Sequence, residues 1–322
     1  MRKKINSVLA AVLCLWLLTG NANAAEMLIP VGQVVGLELR GNSVSVAAFD
    51  DSLGAAAREA GLQIGDEIID IDGRTVDTAQ DVRRALSRSD GQVALKILRN
   101  DKEHRLTLTP QVTRDGPRLG VYLRQGITGI GTVTWYDPDS GRFGTLGHGV
   151  SDSKGKLVEM TSGSVYDADV VAVKRGQCGQ PGQLRGGVDG SSALGTIEKN
   201  TPQGVFGTVE AGWTGNSLPV AERAAVHTGK ATIRSTISGH NVQEYCVEIL
   251  KIYPGSRPEG RNMLIKITDP NLLNTTGGIV QGMSGSPIIQ DGKLVGAVTH
   301  VLVNDPTMGY GIFIENMLDA AS

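Results

Sequence analysis

The stretch from residue 119 to residue 313 alternates short runs of β-branched and other apolar residues with glycine-containing turns. The runs cover 131–135, 170–174, 193–198, 204–209, 231–237, 246–252, 263–267, 288–289 and 295–298. Many short strands without alternating long helices favour a barrel or a sandwich over a parallel α/β sheet. The 43 glycines and the low aromatic content of 4% agree with a turn-rich, mainly β protein.

The first 25 residues have the layout of an export signal or an N-terminal anchor. Arg2, Lys3 and Lys4 precede an apolar stretch over 8–18, and the small-residue sequence Ala-Asn-Ala follows at 22–24. The apolar stretch is shorter than the roughly 20 residues that span a bilayer, which favours cleavage near Ala24 over permanent anchoring. We therefore expect residues 26–322 on the outer side of the membrane.

Charge and cysteine content exclude some classes of function. The chain has 31 basic and 33 acidic residues and lacks a basic block interleaved with aromatics, so a nucleic-acid partner is not indicated. Cys178 and Cys246 remain after the signal is removed, and their spacing does not say whether they pair. Neither cysteine has a metal-ligand spacing around it, so we expect no metal site and no cofactor.

Residues 55–76 predict a short helix, a Gly-Asp turn and a strand that ends in an Asp-Gly hairpin. This order, and above all the stretch GLQIGDEIIDIDG at 61–73, resembles PDZ domains over about residues 28–110. Such domains add an extended peptide to a sheet edge, next to backbone N–H groups that hold a terminal carboxylate. The resemblance implies a peptide-binding loop at Val35, Gly36 and Leu37, although a spacer role for the domain stays open.

These observations divide the chain into a signal or anchor over 1–25, a PDZ domain over 26–110, a linker over 111–118 and a second domain over 119–322. Two glycine-bracketed motifs stand out in the second domain: Gly-His-Gly at 147–149 and Gly-Met-Ser-Gly-Ser-Pro at 282–287. A serine hydroxyl needs a base near neutrality, and an imidazole serves that purpose. Glycines beside the serine allow a tight turn whose N–H groups stabilise an oxyanion.

We therefore predict Ser284 as a nucleophile, His148 as its base, and the N–H groups of Gly282 and Ser284 as the oxyanion hole. The turn resembles that of chymotrypsin-like serine proteases, and the histidine precedes the serine as in that clan. The resemblance implies a chymotrypsin-like double β-barrel for residues 119–322.

Longer segments resemble the SpoIVB peptidase family of endospore-forming bacteria. They are Lys-Ile-Thr-Asp-Pro at 266–270, the run at 276–287, Gly-Ala-Val-Thr-His-Val at 296–301 and Asn-Asp-Pro at 304–306. An export signal, a PDZ domain and then a peptidase domain is also that family's layout. The resemblance implies a serine protease of sporulation signalling that processes itself and cleaves a regulatory membrane protein between the forespore membranes. That cut releases an intramembrane metalloprotease, which activates the late mother-cell sigma factor.

The acid that orients His148 is, by this resemblance, Asp269. The spacing of ordinary chymotrypsin-like enzymes points instead to Asp167, Asp169 or Asp189, and a dyad without an acid or a different acid also stays open. His300 follows an apolar strand in a region that borders the substrate pocket of chymotrypsin-like folds, so it is a candidate for contact with substrate.

Self-cleavage is expected between Glu26 and about Gly54, because the segment between the signal and the PDZ domain is predicted to be mobile and tethered near the active site. Two rival functions remain. One is a general quality-control protease of the HtrA type, against which the domain order argues. The other is a catalytically inactive PDZ-containing binding protein, against which the intact His148, Asp269 and Ser284 argue.

Overall fold

The structure is a computed structural model, and it describes residues 26–89, 91–152, 155–253 and 260–322. The predicted signal or anchor over 1–25 lies outside the described residues. The strands are β1 (Met27–Pro30), β2 (Val34–Phe49), β3 (Glu67–Ile71), β4 (Arg74–Thr75), β5 (Val93–Arg99), β6 (Lys102–Leu108), β7 (Gln111–Thr113), β8 (Gly116–Arg118), β9 (Val121–Tyr136), β10 (Arg142–Thr145), β11 (Met160–Lys174), β12 (Gln183–Thr201), β13 (Gly204–Val209), β14 (Leu218–Pro219), β15 (Gly229–Thr236), β16 (Val242–Ile252), β17 (Met263–Ile267), β18 (Pro287–Gln290), β19 (Lys293–Leu302) and β20 (Asp305–Phe313). The helices are α1 (Ala55–Glu59), α2 (Ala79–Leu86), α3 (Pro270–Thr276) and α4 (Ile314–Ala321), with a 3₁₀ turn at Arg223–Ala225.

The first barrel is a closed ring of six antiparallel strands in the order β2, β9, β10, β13, β12 and β11. Alternate residues of β2 point inward, and Val35, Leu37 and Leu39 pack there against Val133 and Val165. The ring closes because β2 pairs with β9 on one side and with β11 on the other. Because the ring is closed, each of its six strands has a strand partner on both sides, and the barrel has no open sheet edge.

The second barrel has six strands in the closed order β15, β16, β17, β20, β19 and β18. Its core contains Ile233, Val247, Ile265, Ile288 and Val298, all buried. The two barrels together confirm the predicted chymotrypsin-like, mainly β architecture.

The PDZ module lies within the first barrel's sequence rather than ahead of it. Residues 44–49 of β2 and 121–125 of β9 pair with each other beyond the barrel and continue into β3, β5 and β6. Helices α1 and α2 cover this sheet through Ala57, Val82 and Leu86. The predicted PDZ boundaries of 26–110 are therefore wrong at both ends, because residues 27–39 build the barrel and residues 121–125 build the module.

The predicted linker over 111–118 contains the hairpin of β7 and β8. The expected mobile segment after residue 26 is also ordered. Strand β1 pairs with β14 and β9, and β2 forms part of two sheets. Leu28 and Val35 in this segment are buried core residues, so the segment is not a mobile tether.

A long two-stranded extension, here called the arm (residues 170–188), joins the barrels. It consists of the end of β11 and the start of β12, which pair as a hairpin. Its tip reaches the second barrel, where the Gly176 N–H donates to the Thr276 carbonyl and the Gly179 N–H to the Val303 carbonyl, both at 2.8 Å. Gln183 also forms a parallel bridge with Gln281, directly before the turn that carries Ser284.

Cys178 and Cys246 are both exposed and free thiols. None of the described helices has the length and apolar content needed to cross a bilayer.

Candidate active site

The loop that carries His148 follows β10 of the first barrel. Leu146 and Gly147 both have left-handed backbone angles, with φ of 69° and 67°. A side chain at Gly147 would place its Cβ 2.9 Å from Thr299 Cγ2 in the second barrel, so this position requires glycine. The loop thus turns sharply where the two barrels meet, and His148 comes directly after that turn.

The His148 ring is oriented by its own loop. Its Nδ1 lies 2.9 Å from the carbonyl oxygen of Gly149. Because a carbonyl only accepts, Nδ1 carries the proton and Nε2 carries the lone pair that a general base needs. Burial lowers the pKa of His148 below its ordinary value, and the hydrogen bond to Gly149 opposes this shift in part. The ring is therefore neutral and able to accept a proton at neutral pH.

Asn200, at the end of β12, fastens the segment after His148. Its Oδ1 accepts from the Val150 N–H at 2.8 Å, and its Nδ2 donates to the carbonyls of Val150 and Val158 at 2.9 Å each. This residue was missed by the sequence analysis, because an asparagine in a strand has no local signal for a contact 50 residues away.

Ser284 lies in a tight turn before β18. Gly282 and Gly285 flank it with φ of 99° and 97°. A Cβ on Gly285 would lie 1.9 Å from the Thr132 carbonyl oxygen, which excludes any larger residue. The N–H groups of Gly282 and Ser284 have no backbone acceptor in the described chain, and their role as an oxyanion hole stays a prediction.

Two threonines of β9 hold the Ser284 turn from the first barrel. Thr132 Oγ1 donates to the Gly282 carbonyl at 2.7 Å, and the Thr132 N–H donates to the Ser284 carbonyl at 3.0 Å. Thr134 Oγ1 donates to the Gly285 carbonyl at 2.7 Å. The Thr132 carbonyl also accepts from Thr145 Oγ1 at 2.6 Å, at the start of the His148 loop. Thr132 therefore connects both catalytic loops, a role that no local sequence pattern indicated.

Ser284 and Gly147, the residue before His148, both contact Thr299 of the second barrel. Ser284 Oγ donates to the carbonyl of Thr299 at 2.8 Å, while the Thr299 methyl packs beside Gly147. The fold thus brings the two loops together, although 136 residues separate the side chains in the sequence. In this conformation the Ser284 hydroxyl is hydrogen-bonded to the Thr299 carbonyl, and it must leave this partner before it can donate a proton to a base.

His300 adjoins this site. Its ring centroid lies 5.2 Å from that of His148, with the planes tilted by 39°. Burial, the nearby His148 and Arg261 lower the pKa of His300 to about 4, so it is neutral at neutral pH. Its Nδ1 is buried and has no hydrogen-bond partner among the described residues. The predicted contact of His300 with substrate stays a prediction, now with a location beside the base.

Asp269 lies elsewhere. It is the N-cap of α3, where Oδ1 accepts from the N–H groups of Asn271 at 2.9 Å and Leu272 at 3.1 Å. Its Oδ2 lies 3.4 Å from the Cys246 N–H. Within the described chain, the hydrogen bonds of the His148 ring and of this carboxylate do not join the two residues. Asp269 therefore caps a helix in this structure, and its predicted role as the acid that orients the imidazole stays a prediction.

The alternative acids are also placed. Asp167 accepts from Gln33 Nε2 at 3.1 Å and lies 3.9 Å from His240 Nδ1. Asp169 lies on β11 beside Gly187 of the arm. The side chain of Asp189 lies outside the described residues. The one described group that holds the His148 ring is the Gly149 carbonyl, which agrees with the dyad left open above.

The predicted peptide-binding residues Val35, Gly36 and Leu37 are wrong. They lie inside the first barrel, where Gly36 pairs with Ile130 of β9 on one side and with Tyr166 of β11 on the other. Both backbone edges are occupied, so an added peptide strand has no free groups to pair with.

A cavity suited to a peptide lies at another place in the PDZ module. A cavity of about 530 Å³ separates α2 from the start of β9, and it is lined by Val82 and Leu86 on the helix and by Leu119, Gly120 and Val121 on the chain opposite. Residues 121–125 of β9 pair with β2 on one edge. Their other edge has no strand partner in the described structure, so it is open to strand addition.

Comparison with known proteins gives matches to both parts of the chain. The family model described as SpoIVB peptidase S55 matches residues 115–318, and a PDZ domain model matches residues 52–99. Among solved structures, the active form of the Rv3671c protease from M. tuberculosis is 17% identical, with a TM-score of 0.37, and covers 62% of this chain and 75% of its own. The PDZ domain of the SdrC-like protein from Listeria monocytogenes is 23% identical, with a TM-score of 0.22, over 26% of this chain and 87% of its own.

Curated relatives match a smaller part. A protein of Vibrio cholerae serotype O1, provisionally named a zinc metalloprotease, is 33% identical over 144 residues, or 44% of this chain and 30% of that protein. A protein of Mesorhizobium japonicum with the same kind of name is 35% identical over 75 residues, or 23% of this chain and 20% of its own. The chain thus spans less than a third of the length of these relatives. Its described residues contain no group of three or more His, Cys, Asp or Glu side chains placed to hold a metal ion.

The peptidase model covers well over half of the chain and includes both the His148 loop and the Ser284 turn. This chain therefore belongs to the SpoIVB peptidase S55 family, with a PDZ domain inserted into its first barrel.

Proposed function

We propose that the protein is an exported serine endopeptidase in which Ser284 attacks the scissile carbonyl and His148 accepts the hydroxyl proton. One observation carries this proposal: Thr132 bonds to both the Ser284 turn and the start of the His148 loop, and so holds nucleophile and base at one junction. The oxyanion of the tetrahedral intermediate would accept from the N–H groups of Gly282 and Ser284.

His148 then protonates the leaving amine, and the acyl-enzyme is hydrolysed by a water that His148 deprotonates in turn. The imidazolium that forms in each step donates from Nδ1 to the Gly149 carbonyl, which is a weaker stabiliser than a carboxylate. On this basis we assign a Ser-His dyad, supported by a backbone carbonyl.

We base the finer role on the resemblance to the family. We place the protein in sporulation signalling, in the space between the inner and outer forespore membranes, where it would cleave a membrane-bound regulatory protein of an intramembrane protease complex. The PDZ groove between α2 and β9 would hold a peptide of that substrate or of this chain. In sporulating cells, Ser284→Ala at the native locus should abolish late mother-cell sigma activity, as read from a reporter gene.

Self-processing is part of the proposal, but the structure limits where the cut can fall. Cleavage within β1 or β2 would sever strands that the first barrel needs. Within the window predicted above, Asp51 and Ser52 lie in an exposed turn after β2, and this turn is where we place the cut.

The test compares wild type with Ser284→Ala and with Ser286→Ala. Ser286 is a buried serine two residues away whose Oγ donates to Ser235 Oγ, so it is a matched control. Wild type and Ser286→Ala should react with diisopropyl fluorophosphate and shorten over time by intact mass, and Ser284→Ala should do neither. An unlabelled but folded wild type would favour the inactive binding protein, and equal shortening of all three would point to a contaminating protease.

A further inference from the structure

A second cavity, here called the arm cavity, lies between the outer face of the first barrel and the arm and has a volume of about 670 Å³. Its walls include Glu38, Thr128 and Ile130 from the barrel and Leu184, Arg185 and Val188 from the arm. It is separate from the PDZ groove, which shares no lining residue with it.

The arm cavity adjoins the oxyanion hole. The Leu184 N–H donates to the Gln281 carbonyl at 2.8 Å, and a Cβ on Gly282 would lie 3.0 Å from Leu184 Cβ. On the other wall, Ile130 lies two residues before Thr132, which bonds to Gly282 and Ser284. An extended peptide with its scissile carbonyl at Ser284 therefore places a neighbouring side chain within reach of the cavity.

The chemistry of the walls selects an apolar occupant. Ile130 and Val188 present aliphatic surface, and Val188 is 48% exposed although it is a strand valine. The carboxylate of Glu38 is already paired with Arg40 at 2.9 Å and accepts from the Tyr166 hydroxyl at 3.0 Å. Covering Val188 with an apolar side chain gains about 25 cal/mol for each Å² removed from water.

We propose, on the basis of the function proposed above, that the arm cavity is a substrate subsite that accepts a large apolar side chain flanking the scissile bond. The arm is then a specificity element: it carries one wall of the subsite and is held in place by the bond between Leu184 and Gln281. Peptides with leucine, methionine or phenylalanine at one fixed position from the cleaved bond are the preferred class.

The test uses reduced and carboxymethylated β-casein as the probe, with cleavage sites identified by mass spectrometry. Val188→Trp narrows the cavity and Val188→Ala widens it. The matched control is Val171→Trp, because Val171 is also an exposed arm valine, 63% accessible, but does not line the cavity. The rate of Ser284 labelling by diisopropyl fluorophosphate, a small reagent that does not need the cavity, is measured for every variant.

Wild type and Val171→Trp should share a site pattern with a large apolar residue at one fixed position. Val188→Trp should lower cleavage at those sites by tenfold or more and favour smaller residues, while Val188→Ala should retain them and extend to larger ones, with labelling rates within about twofold. If Val188→Trp is not labelled, the cleavage pattern of Val188→Ala alone tests the subsite. Normal labelling with one unchanged pattern in all variants overturns the subsite only; a wild type that neither labels nor cleaves overturns the proposed function as well.

Discussion

The hydroxyl of Thr132 in the first barrel donates a 2.7 Å hydrogen bond to the carbonyl of Gly282 in the second. The peptide unit that follows this carbonyl leads to the nucleophile, so the bond fixes the turn on which the oxyanion donors stand. Thr132 has no exposed surface, and its bonds are therefore not exchanged with water.

Thr132→Val should lower kcat by roughly 10- to 100-fold, because the isosteric change leaves the Gly282 carbonyl unpaired and frees the turn. KM should change little, since Thr132 does not face a substrate side chain. The matched control is Thr236→Val, which removes another buried threonine bond, that of Oγ1 to the Gly32 carbonyl at 3.1 Å, away from the turn. Equal loss of kcat in both variants would show a general packing effect and contradict the role given to Thr132.

Asp269→Ser should keep most of the peptidase activity, because serine is also a good N-cap and α3 needs only an acceptor at this position. Asp269→Ala should lower stability by about 1 kcal/mol, seen as a lower Tm, and should lose activity only through that destabilisation. Peptide hydrolysis rates at a temperature well below both transitions check this. A loss of about 10⁴-fold in kcat for Asp269→Ser would restore Asp269 to the catalytic triad.

The sequence predicts those parts of the site that depend on local geometry. Glycines around Ser284 and His148 mark turns that only glycine can form, and these turns are present at both places. Thr132 and Asn200 act through contacts far away in the chain, which a single sequence does not encode in any local pattern. Asp269 shows the converse, because an aspartate before a proline at a helix start has a capping role that needs no catalytic explanation.

The PDZ error has a topological cause. If the PDZ domain is taken as one continuous segment, its binding loop is expected before its helices in the chain. The apolar-Gly-apolar sequence at 35–37 fits that position. In the structure the first half of β2 and the second half of β9 belong to the barrel, and the PDZ module lies between them in the sequence. The strand beside the groove, residues 121–125 of β9, therefore follows the helices in the chain. Leu119, Gly120 and Val121 repeat the same residue pattern, and this was the available signal.

The dependence of kcat/KM on pH should show an acid limb below about pH 6.5. His148 acts as a base only when neutral, and burial lowers its pKa from the ordinary value of about 6.5, so activity falls only once the pH drops through this lower pKa. His300→Ala uncovers the adjacent ring and should move the limb upward, toward 6.5. An acid limb at pH 7 or above in wild type would contradict a desolvated base.

A peptide with a free C-terminal carboxylate should bind in the groove between α2 and β9, as measured by calorimetry on the full chain with Ser284→Ala to prevent turnover. Arg118 lines this groove next to the backbone turn at Leu119 and Gly120, so Arg118→Glu should weaken binding by tenfold or more through repulsion of the carboxylate. Arg105→Glu makes the same charge change on β6, outside the groove, and should bind like the parent. Equal weakening by both changes would mean that overall charge, rather than the groove, attracts the peptide, and an effect of Gly36→Ala without one of Arg118→Glu would return the site to the barrel strand.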